Sequence, residues 1–202
     1  MYPAGASRGF LGNQPEDWIW WQNQPNSIGS PPRPLSQSVI ARYLPLTDSD
    51  RTNAKVVLRC PSDKYWNTRV NSLGTAPPYT FSYTFNSVGT SGSTLLPGDV
   101  SNKGFSTEID IGRTSLLKFR SVQVRNPSDK FMLVEERGDP EDGRAFFPAG
   151  TDWINDGRWA GGGDVLTVRH GQKSAAGFGD GHVELIATTQ ANANDPHAVA
   201  TY

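Results

Sequence analysis

Two histidines and an aspartate fall close together near the C-terminal end of the chain, in Arg169-His170-Gly171-Gln172-Lys173-Ser174-Ala175-Ala176-Gly177-Phe178-Gly179-Asp180-Gly181-His182-Val183-Glu184-Leu185. An imidazole beside a carboxylate can relay a proton or hold a metal ion, so His170, Asp180 and His182 are candidates for an acid–base or metal pair. A structural role competes with that chemistry. In it, His170 ends a strand and its ring bonds to backbone or to a carboxylate near the Asp180 turn, while Asp180 satisfies local amides. The structural role is the better reading, because clustered titratable groups mark function only statistically. The other catalytic signatures are also missing. Gly89-Thr90-Ser91-Gly92-Ser93 lacks the last glycine of a nucleophile elbow. Neither a phosphate loop ending in Gly-Lys-Ser/Thr nor a His-Glu-x-x-His zinc helix occurs. The expectation is a protein with no catalytic residues.

Cys60 is the single cysteine, which rules out a disulfide within the chain. Beside Val56-Val57-Leu58 it reads as a small buried hydrophobe. Metal ligation needs partners at set spacings, and the sequence around Cys60 supplies none. A third chemistry is sugar binding. Trp18, Trp20 and Trp21, next to Asp17 and Gln22, are candidates for stacking on pyranose rings; Trp153 and Trp159 pose the same question. Large aromatics are mostly buried, so the favoured reading has the tryptophans anchoring the N-terminal segment onto a sheet.

The elements that must carry these residues are short. The 202 residues suit one domain, and 19 basic against 20 acidic residues give no signal for nucleic acid or a membrane surface. With 21 Gly, 15 Pro, 6 Trp and 9 Phe, the composition fits a loop-rich β protein. Residues 1–34 form a loop-rich N-terminal segment, 35–186 a sheet core and 187–202 a polar tail. Ser36 caps an expected short helix reaching Leu44, with Val39, Ile40, Tyr43 and Leu44 on one face. Strands are expected at 55–59, 79–86, 130–135 and 165–168, with a long Ser/Thr/Gly loop over 90–110. Asp180-Gly181 is a strong two-residue turn signal. A turn there pairs Phe178 with Val183 and Ala176 with Leu185, and predicts Phe178, Ala176, Val183 and Leu185 on one buried face. The result is an α+β class with an antiparallel-rich sheet, long loops and little helix.

Four segments carry a resemblance in chain order. They are Leu58-Arg59-Cys60-Pro61-Ser62-Asp63, Phe81-Ser82-Tyr83-Thr84-Phe85-Asn86, Asn126-Pro127-Ser128-Asp129-Lys130-Phe131-Met132-Leu133-Val134-Glu135-Glu136, and His170 followed after nine residues by Asp180-Gly181. Together they resemble the Cys-Pro-Ser-Asp, Ser-Tyr-x-x-Asn, Pro-Ser-x-x-apolar-Glu and His-nine-Asp-Gly signatures of the prepilin-type processing-associated family of type II secretion pseudopilin-like proteins. The resemblance makes Cys60, Pro61, Ser62, Asp63, His170, Asp180 and Gly181 a structural signature, and it implies a pilin-like globular head.

Members of that family begin with a basic leader and an apolar helix that anchors them and packs the filament. Here Met1-Tyr2-Pro3-Ala4-Gly5 opens into turn-forming residues, and no run approaches the ~20 apolar residues of a span. The expectation is therefore a soluble head without its helix, from a periplasmic or cell-surface protein. Its partners would be other pilin-like subunits, and its membrane contact would run only through the absent helix, leaving the head monomeric or weakly associated. The resemblance also implies that a second cysteine just after that helix would pair with Cys60. Finally, it raises calcium as a candidate cofactor, since major pseudopilins use a loop-borne calcium ion. Glu135, Glu136, Asp139, Glu141 and Asp142 form one acidic cluster; Asp152, Asn155, Asp156 and Asp164 form another. Neither has EF-hand spacing.

Overall fold

In the computed structural model the described residues are 17–21, 33–52, 57–67, 69, 78–86, 105, 108–109, 116–117, 120–138, 154, 156–159 and 164–187. They build a mixed five-stranded sheet with little helix. Its strands are β1 (Tyr83–Asn86), β4 (Phe131–Glu135), β5 (Arg158–Trp159), β6 (Lys173–Phe178) and β7 (Val183–Ala187), in the order β5-β1-β4-β6-β7. β1 with β4, β4 with β6, and β6 with β7 are antiparallel, whereas the edge strand β5 runs parallel to β1. A separate antiparallel pair joins β2 (Glu108–Ile109) to β3 (Leu116–Leu117). β2 lies inside the stretch expected to be loop. No helix among the described residues is long and apolar enough to cross a membrane.

The sheet packs on both faces. One side carries Trp18, Ile19, Trp21, Leu35, Leu46, Leu58, Tyr79, Phe81, Phe85, Phe105 and Ile154, and the other Phe131, Val134, Trp159, Leu166, Ala176, Phe178 and Ile186. β4 serves both through a bulge. The register slips by one residue between Phe131↔Phe178 and Leu133↔Gly177, so Phe131 shares a face with Val134 while Leu133 packs on the other side.

The terminal hairpin forms, but its register corrects the expected one. Gly177 pairs with Val183, Ala176 with Glu184 and Ala175 with Leu185. The loop has three residues, closed by Gly181 N–H donating to Phe178 O at 3.0 Å and Phe178 N–H donating to His182 O at 2.9 Å. Gly181 takes the left-handed position at φ 94° that such loops need at their bulge. A slip of one residue exchanges the two faces of a strand. Phe178 and Ile186 are buried, whereas Val183 and Leu185, expected inside, are 70% and 52% exposed. Gly179 explains the choice. Its N–H bonds to Lys130 O at 3.0 Å, and a Cβ there would lie 2.6 Å from the buried Phe105 ring, so Gly179 must sit in the loop against that ring.

Other expectations also shift. The helix from Ser36 to Leu44 is replaced by two 3-10 turns, Leu35–Gln37 and Ile40–Arg42, and Tyr43 is 79% exposed. Between them Ser38 takes extended backbone, its hydroxyl donates to Leu35 O at 2.7 Å, and the Ile40 N–H bonds to Trp18 O at 2.9 Å instead of to the Ser36 carbonyl. Residues 57–59 are turn rather than strand, while 53–56 lie outside the described residues. The strand expected over 79–86 is limited to Tyr83–Asn86. Over 165–168 there is only an isolated bridge between Glu136 and Leu166.

Candidate functional site

One or more residues from each of the four sequence segments, Cys60, Asp63, Ser82, Glu135 and His170, meet in one buried polar knot where β1, β4 and the start of β6 adjoin. Its centre is Glu135, the last residue of β4, whose side chain is fully buried. Oε1 accepts a bond from Arg169 Nη1 at 2.6 Å, and Oε2 lies 2.7 Å from His170 Nε2. Asp63 is the second carboxylate. It pairs with Arg69, receives the Ser82 hydroxyl at 2.6 Å, and lies 3.7 Å from Arg169 Nη1. Two guanidiniums thus face two carboxylates, all nearly out of solvent. A buried ion pair recovers its desolvation cost only with close geometry and further hydrogen bonds. Those bonds are present: Arg69 donates to Phe81 O at 2.6 Å, Tyr79 O at 3.1 Å and Gly138 O at 3.2 Å, and Arg169 to Glu136 O at 3.1 Å.

Backbone geometry places each member. Ser82 Oγ accepts the Cys60 N–H at 3.0 Å while donating to Asp63, so one hydroxyl ties the Cys-Pro-Ser-Asp turn to the strand after it. Asn86 Nδ2 donates to Phe131 O at 2.8 Å, and Ser174 Oγ donates to Glu135 O at 2.7 Å. His170 opens a tight turn in which both central residues are left-handed, Gly171 at φ 66° and Gln172 at φ 69°, closed by His170 N–H to Lys173 O at 3.3 Å. That turn aims the imidazole back at β4.

Cys60 joins the knot. Its Sγ is 3.6 Å from His170 Nε2 and accepts the Ser62 N–H at 3.4 Å. Sγ, Nε2 and a Glu135 oxygen all lie within 4.8 Å of one another. Burial, and then the charge of Glu135, push the Cys60 thiol up, the reverse of an activated nucleophile. The connectivity also differs from a catalytic triad. A triad uses one imidazole nitrogen for the nucleophile and the other for the orienting carboxylate, whereas here thiol and carboxylate share Nε2.

Sequence reading and structure part company over partners. His170 meets a carboxylate, but it is Glu135 rather than one at the Asp180 turn. His170 and Asp180 flank opposite ends of β6, a six-residue strand, which separates them by about 20 Å at ~3.3 Å per residue. Asp180 instead binds His182, through the ring Nδ1 at 2.6 Å and the backbone N–H at 3.1 Å. The His182 backbone bond is the main reason its carboxyl titrates below the ordinary range. His182 stacks flat on Phe178, centroids 4.3 Å apart. Pro61 and Ser62 are exposed, and Asp63 is buried. No spacing near Cys60 announced its neighbours, which come from 75 and 110 positions further along the chain. Arg69 and Arg169 were missed for the same reason, although Arg169 directly precedes His170.

The acidic clusters fall only in part on described residues. Glu135 and Glu136 are strand-end residues buried on opposite faces of the sheet, not ligands of one loop. Burial, then Asp164 and Asp156, raise the Glu136 carboxyl well above its usual range, so these three acids lie within electrostatic reach. Asp156 Oδ1 accepts the Arg158 N–H at 2.8 Å. Asp139, Glu141, Asp142, Asp152 and Asn155 lie outside the described residues.

Trp18, Trp20 and Trp21 are 2%, 9% and 3% exposed, which leaves no ring face for a sugar. They anchor the N-terminal segment. Trp18 Nε1 donates to Gly157 O at 2.7 Å, and Arg51 donates to Trp21 O at 2.9 Å and Trp20 O at 2.7 Å. Trp159 is also buried, while Trp153 lies outside the described residues. Comparison with protein-family models, with curated proteins and with solved structures finds no match to this chain in any of the three.

Proposed function

We propose that this chain is the globular head of a pilin-like structural subunit, exported to the periplasm or cell surface and assembling with other pilin-like subunits. The observation that supports this reading is the use of the four signature segments. Much of their polar chemistry is spent inside the fold: Ser82 Oγ on the Cys60 N–H and the Asp63 carboxylate, Asn86 on the β4 backbone, and Glu135 on His170. A motif whose members close a buried network serves to hold a fold. A motif that serves turnover presents reactive groups to a cleft. The lack of a triad-type arrangement around His170 agrees with a structural role, and burial of Trp18, Trp20 and Trp21 weighs against the alternative of a carbohydrate-binding module.

The test is cellular. In the native cells, antibody raised against the head should find the protein in the envelope or in sheared surface material, in complexes with other pilin-like subunits. A purely cytoplasmic pool, or turnover of a substrate abolished by His170→Ala in a folded variant, would overturn the reading.

A further inference from the structure

We propose that Cys60, Glu135 and His170 form a binding site for a divalent cation of the zinc type. Sulfur, imidazole nitrogen and carboxylate oxygen are the donor set that such an ion prefers, and the three lie within 4.8 Å of one another. The distances favour coordination on one edge. An ion bound at about 2.3 Å to sulfur and ~2.05 Å to nitrogen in a tetrahedron sets those atoms about 3.5 Å apart. Here Sγ and Nε2 are 3.6 Å apart. The Nε2–Oε2 separation is 2.7 Å and must open to about 3.4 Å to admit the ion. A modest swing of the imidazole does this. His170 is the member free to move, with 25% of its side chain exposed, whereas Glu135 has none.

The supporting contacts suit ligands. Arg169 holds Glu135 through Oε1 and leaves Oε2 directed at the site, the outer-shell orientation that metal-binding carboxylates receive. The Ser62 N–H directed at Sγ stabilises a thiolate, and Ser82 fixes the Cys60 backbone. Gln172, a non-glycine residue at φ 69°, holds the turn that presents His170; strained positions of this kind collect at functional sites. Coordination releases the thiol proton to solvent and moves the imidazole proton to Nδ1. With three protein ligands, the fourth position opens on the exposed side of His170 and takes water. The knot already balances Asp63 and Glu135 against Arg69 and Arg169. An ion arriving with one thiolate therefore adds a net positive charge, and binding is weaker than in closed four-ligand sites.

The experiment titrates the chelator-treated, reduced 202-residue chain with cobalt(II) and then zinc(II). The expected result is saturable binding of one equivalent, with thiolate-to-cobalt charge-transfer absorption and tetrahedral ligand-field bands that zinc abolishes. Cys60→Ser, close in shape, should keep the circular dichroism of the parent, lose the charge-transfer band and weaken zinc binding by about 100-fold or more, at or beyond the loss from second-shell changes. His170→Gln should weaken it similarly if it folds. No saturable binding, a cobalt spectrum without sulfur character, or equal zinc affinity in folded Cys60→Ser would overturn the proposal. None of these outcomes depends on whether the chain assembles with pilin-like subunits.

Discussion

Glu135 and Glu136 are adjacent, equally buried and chemically identical, yet their surroundings differ. Glu135 faces Arg169 and His170 at hydrogen-bond distance, and both of its oxygens are engaged. Glu136 projects from the other face, where its Oε2 makes no hydrogen bond and Asp164 and Asp156 add repulsion to the cost of burial. The difference shows what a buried carboxylate contributes. Where cations and donors dominate, it ties distant segments together; where burial and neighbouring acids outweigh Thr84 and Arg69, as at Glu136, it is driven towards its neutral form and opposes folding wherever it would ionise.

Breaking the first site should have the largest effect. Glu135→Ala takes the nearest carboxylate from the buried Arg169, leaving Asp63 at 3.7 Å, and should cost about 3–5 kcal/mol in urea unfolding, the range for removing one partner of a buried pair. Within the hydrophobic layer on the Glu136 side, Ile186→Ala should cost about 2–5 kcal/mol, while Leu185→Ser, only two atoms smaller and one position away, should stay within about 0.5 kcal/mol. Comparable losses at both positions would refute the three-residue loop. Gly181→Val, forced to a positive φ, should cost about 1–3 kcal/mol.

The smallest effect is at Glu136, and its sign is opposite. Its folded carboxyl titrates above the ordinary range. Below the usual glutamate pKa it is protonated in both states and costs nothing as a charge. As pH rises past that value the unfolded chain loses the proton first, so stability falls with rising pH until the folded group also ionises. Glu136→Gln should therefore raise stability at neutral pH and flatten this slope in unfolding curves taken across the weakly acidic to neutral range. An unchanged slope would assign the pH dependence elsewhere.

The sequence showed the local features and missed the distant ones. Strand β4, the hairpin and the anchoring tryptophans follow from residue type and alternation. The hairpin register did not, because the deciding contact is Gly179 against Phe105, a neighbour 74 positions earlier in the chain. The expected 36–44 helix failed where Ser38 turns to extended backbone and the Ile40 N–H bonds to Trp18 O, a long-range partner, instead of the Ser36 carbonyl. The knot was legible only in part. His170 pointed to a carboxylate, but the choice of Glu135 over Asp180 depends on the left-handed Gly171-Gln172 turn, and Gln172 carries no sequence signal for that conformation.

The central claim is that Glu135 and His170 act as one unit in holding the segments together. A double-mutant cycle with Glu135→Gln and His170→Ala, measured by urea unfolding with chelator present, tests it most directly. His170→Ala alone should cost about 1–2 kcal/mol, the penalty for leaving a buried polar partner unsatisfied. The cycle should then return a coupling of about 1–2 kcal/mol, within the span found for residues in one hydrogen-bond network. Losses that simply add, to within about 0.3–0.5 kcal/mol, would contradict the account.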